Sequence, residues 1–150
     1  MRLTDIQCAL GLSQLRKLPL FLKKRADIAD KYIEKLGDVA AIIPPCRKAD
    51  SVHAWHIFVI RLRAEMLSMS RDEFFARMCE RGIGVNVHYI PVHLHPYYRR
   101  RFGHAPGDFP AAEAASAAAI TLPLFPAMTD GQVCYVAEAV RDLAQETSRL

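Results

Sequence analysis

The chain has 150 residues, 51% of them hydrophobic and 24% charged, which is ordinary for a globular protein and enough for one domain, or a piece of a larger one, with a real core. The net charge of +4 is a mild excess, and its only dense basic run, Arg99-Arg100-Arg101, reads as a solvated face, with phosphate contact as the alternative. No apolar run approaches membrane-spanning length and the N-terminus lacks a basic head and apolar centre, so neither a membrane nor secretion is expected, and the cytoplasm is the default.

Thr4 followed by Gln7 is a capping box that opens a helix carrying Ile6, Ala9, Leu10, Leu15 and Leu18. Pro19 predicts a break or kink, with a second helix from about residue 19 to Leu36 and Gly37 as its stop. Leu22, Ile28, Ala29, Tyr32, Ile33 and Leu36 make its apolar side. Residues 39–52 read as a connector. Residues 54–62, rich in aromatic and β-branched side chains, read as the best strand, covered at least in part on both faces. Ser70 and Glu73 form a second capping box for a helix ending at Gly82, and a strand is predicted over about residues 84–89. A turn with His88, His93 and His95 follows, then one short helical turn over 97–102 and a Gly/Pro-rich loop. Residues 111–120 read as an alanine-rich helix and 121–126 as extended. Thr129 and Gln132 make a third capping box, for a last helix that buries Val133, Val136, Val140 and Leu143. The sum is an α/β (α+β) domain of helices packed on a small, mainly antiparallel sheet.

The residues carry little catalytic chemistry. Cys8, Cys46, Cys79 and Cys134 form no C-x-x-C pair, and three of them sit in predicted helices among apolar neighbours, so buried free thiols in a reducing compartment are expected. His88, His93 and His95 lack a nearby cysteine or carboxylate to complete a zinc shell, so a hydrogen-bonding turn that meets a ligand or another subunit is the favoured reading. His56 reads as a satisfied, half-buried histidine. No nucleophile elbow, Walker loop or dinucleotide glycine fingerprint occurs. The six lysines, Lys17, Lys23, Lys24, Lys31, Lys35 and Lys48, all precede residue 54 in helical or polar settings that do not favour a Schiff base.

Four motifs, in order and spacing, carry a resemblance: Arg2-Leu-Thr-Asp-Ile-Gln-Cys-Ala-Leu-Gly-Leu-Ser-Gln-Leu15, His53-Ala-Trp-His-Ile-Phe58, Gly82-Ile-Gly-Val-Asn-Val-His-Tyr-Ile-Pro-Val-His93 and Leu122-Pro-Leu-Phe-Pro126. Together they resemble the C-terminal part of the pyridoxal-phosphate-dependent nucleotide-sugar aminotransferases of the DegT/DnrJ/StrS group. The histidine turn is most similar to the branch that aminates a UDP-linked 4-keto-6-deoxy-N-acetylhexosamine on the route to pseudaminic acid. The resemblance implies the small, C-terminal domain of the aspartate-aminotransferase fold (type I) and a homodimer. It also implies a larger N-terminal domain upstream of Met1 that carries the Schiff-base lysine. By the same resemblance Tyr89, His93 and His88 face the sugar-nucleotide entrance, with His56 packed nearby, and Arg2 is the remnant of an element that reaches the cofactor phosphate of the neighbouring subunit. The chain alone is then expected to hold no cofactor and to be inactive. The alternative is a non-catalytic module that self-associates or binds a partner through the first helix. Nucleic-acid binding through Arg99-Arg100-Arg101 is the weaker third option and is not expected.

Overall fold

The computed structural model describes residues 2–146. Helix α1 spans Asp5–Leu36 and starts as its sequence dictates: the Gln7 amide donates to the Thr4 hydroxyl, and the Thr4 amide donates to the Gln7 side chain at 2.9 Å. The break expected at Pro19 does not occur, and the two predicted helices are one. Proline removes a single donor, and this stretch is exposed, so the carbonyl left without a partner stays in reach of water. The two halves of α1 differ in surroundings. Ile28, Ala29, Tyr32 and Leu36 are buried, whereas Ile6, Leu10, Leu15 and Leu18 are exposed.

Three antiparallel strands, β1 (Ile42–Ile43), β2 (Phe58–Leu62) and β3 (Ala119–Leu122), lie in the order β1-β2-β3. Ile42 faces Leu62 across the first pair, and Phe58 faces Leu122 across the second. The two-residue β1 lies inside the stretch predicted as connector, too short to display an alternating pattern, and Lys48 therefore follows the first strand. Strand β2 is shorter than predicted. Trp55 takes φ 47, a left-handed backbone that ends any extended run, and its ring is buried. The Arg25 Nη1 group donates to the carbonyls of Trp55, His56 and Leu124 at 3.0–3.1 Å and so ties α1 to this turn.

Helix α2 (Arg71–Glu80) begins with half of its predicted box. Ser70 Oγ accepts from the Glu73 amide at 3.2 Å, but the Glu73 carboxylate turns to Arg77 at 2.7 Å. Gly82, at φ 73, then reverses the chain. The strand predicted over 84–89 reduces to one bridge, Asn86 with Thr121. The Asn86 side chain takes the Val87 amide at 2.7 Å, a donor that a strand would offer to its neighbour. Helices α3 (Pro96–Phe102) and α4 (Pro110–Ala118) follow, and α4 yields to β3 at Ala119, two residues before the predicted change. Helix α5 (Asp130–Glu146) opens on the reciprocal Thr129 and Gln132 box.

Phe58, Ile60 and Leu62 alternate onto one face of the sheet, where they join Tyr32, Trp55, Phe74, Val133, Val140 and Leu143 in the core. Each such side chain stabilises the fold by about 1.5–3 kcal/mol. Helix α4 covers part of the opposite face, its alanines lying close to Ile43 and Arg61. The domain is thus five helices on a small antiparallel sheet among the described residues, as the sequence predicts. The cysteines depart from expectation: Cys8, Cys46 and Cys79 are free but exposed, and Cys134 is half-buried. In α2 the reason is rotation, since Cys79 follows buried Met78 by one helical step and leaves the apolar stripe.

Candidate functional site

Helix α4 is almost all alanine, and its two other polar positions stand out: Glu113 and Ser116, three apart, share a face. That face meets the histidine turn. Ser116 Oγ donates to the Tyr89 carbonyl at 3.0 Å, and Glu113 Oε1 pairs with His93 Nε2 at 2.9 Å. The same carboxylate accepts from the Gly107 amide at 2.9 and 3.0 Å and from the Phe109 amide at 3.3 Å, so it also folds the 103–109 loop against the turn. From β3, Thr121 Oγ1 lies 2.7 Å from His88 Nδ1. Three polar clamps thus fix residues 88–93, whose His88–Tyr89 peptide is cis.

The clamps sort the side chains. His93 is drawn in, only 7% exposed, while Tyr89 projects with 73% of its surface free. Between the turn, α3 and the loop lies a cavity of about 410 Å³, bounded by Pro91, Val92, His93, Tyr98, His104 and Phe109. The His93 and His104 rings stand 6.3 Å apart and nearly perpendicular, and the Phe109 ring lies 4.7 Å from that of His93. His104 Nδ1 is held by Asp108 at 3.1 Å. The His93 hydrogen bond, then the Gly107 amide, holds the Glu113 carboxyl below its usual range. The Ala105 amide, then His104, does the same for Asp108.

His88, Tyr89 and His93 therefore come together on one turn, but His56 does not join them. It is exposed rather than half-buried, because Trp55 points inward and the next residue outward, and it lines a separate pocket with Phe21, Leu22 and Phe125. Arg2 is exposed ahead of α1 and borders neither cavity. His95 is exposed just before α3, and no cluster of three or more metal-ligating side chains exists among the described residues. Glu113, Ser116, Thr121, His104 and Phe109 escaped the sequence reading. The signal that was available is the isolated Glu-x-x-Ser pair in an otherwise alanine helix.

None of the six lysines is buried: four are exposed, and Lys31 and Lys35 are partly so. Lys31 pairs with Asp130, a hydrogen bond that raises its pKa, the reverse of what an amine nucleophile needs. No helix among the described residues is long and apolar enough to cross a membrane.

Comparison with known proteins gives a consistent result. The model of the DegT/DnrJ/EryC1/StrS aminotransferase family matches residues 1–141. The spore coat polysaccharide biosynthesis protein SpsC of Bacillus subtilis is 39% identical over 97% of this chain and 38% of its own length. Helicobacter pylori PseC, an aminotransferase involved in the biosynthesis of pseudoaminic acid, superposes with a TM-score of 0.87 at 28% identity, over 97% of this chain and 38% of that one. The PLP form of Spr1654 from Streptococcus pneumoniae, a sugar aminotransferase by description, gives 0.86 at 30% identity, over 97% and 36%. The chain spans little more than a third of the length of the curated relatives it matches, 37% and 38%.

Proposed function

The chain belongs to the DegT/DnrJ/EryC1/StrS aminotransferase family, and from that premise we propose that it forms the small domain of an enzyme that moves an amino group from glutamate to a nucleotide-linked keto-sugar. The observation that carries this reading is the histidine turn, three polar clamps holding a rigid, outward-facing edge on a fold shared with sugar aminotransferases. Such an edge orients a polar ligand with little ordering left to do on binding. In this role Tyr89, His88 and His93 form part of the substrate wall, and His56 contributes from its separate pocket. The finer assignment, to a UDP-linked 4-keto-6-deoxy-N-acetylhexosamine, rests on the turn sequence and the likeness to PseC.

Pyridoxal phosphate supplies the electron sink in this family. The residues present do not fit its covalent attachment: no lysine is buried, and the pKa of the paired Lys31 is raised by its hydrogen bond to Asp130. We therefore place the Schiff-base lysine on a larger domain outside this chain and expect the chain alone to be inactive, with Arg2 reaching a phosphate in a neighbouring subunit of a homodimer. Four free thiols agree with a cytoplasmic setting. The test mixes the chain with pyridoxal phosphate alone, because free glutamate would itself condense with the aldehyde, and after gel filtration no aldimine absorbance should remain with the protein. Fusing it downstream of the N-terminal part of SpsC should give glutamate-dependent amination of a nucleotide-linked keto-sugar, with intact SpsC as control. An aldimine band on the chain alone, or an inactive fusion beside an active control, overturns the reading.

A second reading, self-association of the isolated chain, is favoured by the exposed Ile6, Leu10, Leu15 and Leu18 of α1. Light scattering across a dilution series separates the two: a strictly monomeric chain removes it.

A further inference from the structure

The pocket that holds His56 has chemistry that amino transfer does not use. Leu18, Phe21, Leu22 and Arg25 recur at helical spacing, so one face of α1 forms its wall. His56 bounds a second side, and Phe125 and Pro126, in the segment after β3, bound a third. The volume is about 550 Å³, the size of a small-molecule site. Its lining is apolar except at Arg25 and His56.

Arg25 is half-buried, and its Nη1 group donates to the carbonyls of Trp55, His56 and Leu124. Those bonds fix the guanidinium against two other segments of the chain, but carbonyls are neutral and leave its charge uncancelled. The other edge, Nε and Nη2, has no hydrogen-bond partner among the described residues, and no carboxylate pairs with it there. Neither atom is among the sealed, unpartnered side-chain atoms, so both remain open to a ligand. A cation drawn partly out of water is normally paired. Here two parallel N–H groups that match the oxygens of a carboxylate are held rigid and left unpaired by the chain.

The fork and the walls together select the ligand. A dicarboxylate or a phosphate ester brings a second charge or a wet, polar body that Leu18, Phe21 and Phe125 cannot satisfy. A metal ion would meet a like charge at Arg25. We infer that this pocket binds a small monocarboxylate with an apolar body: Arg25 Nε and Nη2 donate to its two oxygens, the body lies between Phe21 and Phe125, and His56 stands at the rim. The inference does not depend on the amino-transfer reading, whose donor, glutamate, is a dicarboxylate and is not the ligand of this pocket.

Phenylacetate is the probe, followed by NMR at the Arg25 Nε proton and the His56 ring protons. Saturable shifts at both are expected. Phenylacetamide keeps the body without the charge, acetate keeps the charge without the body, and glutamate adds a second charge. Each should bind at least about tenfold more weakly than phenylacetate. Arg25→Lys keeps a charge but not the fork, and should lose affinity by a similar factor. Leu18→Glu, at an exposed position, sets a carboxylate of the chain's own beside the fork and should weaken phenylacetate about tenfold with the fold intact. The inference falls if phenylacetate moves neither signal, or if acetate, phenylacetamide or glutamate matches it. It falls equally if Leu18→Glu, or a folded Arg25→Lys, binds phenylacetate as the parent does.

Discussion

The core and the histidine turn are held by different physics. In the core, Tyr32, Trp55, Phe58 and Leu143 are nearly free of solvent and bind one another by apolar burial. The turn has one buried side chain, His93, and stands in place through Glu113, Ser116 and Thr121, while Tyr89, Ile90 and Val92 stay exposed. A segment fixed by burial has no surface left for a ligand. Polar clamps acting on backbone and ring nitrogens hold a segment from behind and keep its other side available. The first arrangement should tolerate acid, and the second should not.

The largest effect tests the core. Tyr32 lies 5.0 Å from Phe58, ring to ring, and its hydroxyl donates to the Pro123 carbonyl at 2.9 Å. Tyr32→Ala should cost about 3–5 kcal/mol of unfolding free energy, read by urea denaturation. A loss below about 1 kcal/mol would mean that α1 is not part of the cooperative unit. Next comes the junction between polar and apolar control, Arg25. Arg25→Met keeps the aliphatic stem and strands three carbonyls, so a loss of about 2 kcal/mol is expected, with the near-ultraviolet signal of Trp55 altered.

Acid should sharpen the contrast. Folding lowers the pKa of Glu113 through His93 and the Gly107 amide, and that of Asp108 through the Ala105 amide and His104. A depressed carboxyl binds fewer protons folded than unfolded. Its contribution is therefore complete above the ordinary values of 4.5 for Glu and 3.8 for Asp, and disappears as the pH falls through the lower folded values. The Gly107 and Phe109 amide resonances should lose their native positions in that acid window while the Phe58 and Ile60 amides keep theirs. Simultaneous loss in both regions would erase the distinction. The smallest effect is expected from Ser116→Ala, about 1 kcal/mol or less, with the shift changes confined to Tyr89 and its neighbours.

How far each region was legible follows from the range of its determinants. The Thr4–Gln7 and Thr129–Gln132 boxes and the stripe of Val133, Val136, Val140 and Leu143 are set by residues within a turn or two of one another, and the structure keeps them as read. Pro19 misled because propensity describes one hydrogen bond, and the continuing helix on either side outweighs it. The strand over 84–89 misled because alternation cannot show that Asn86 would take its neighbour's amide.

The sequence by itself therefore determined the caps of α1 and α5, the buried stripe of α5, the stop near Gly82 and the clustering of His88, Tyr89 and His93, all of which depend on short-range spacing. Tertiary structure alone decided that Glu113 would reach His93, 20 residues away, that Arg25 would bind the Leu124 carbonyl across 99, and that His56, Cys8, Cys46 and Cys79 would be exposed. A periodic pattern shows which side of an element is apolar, whereas which distant element comes to lie against it depends on the packing of the whole chain.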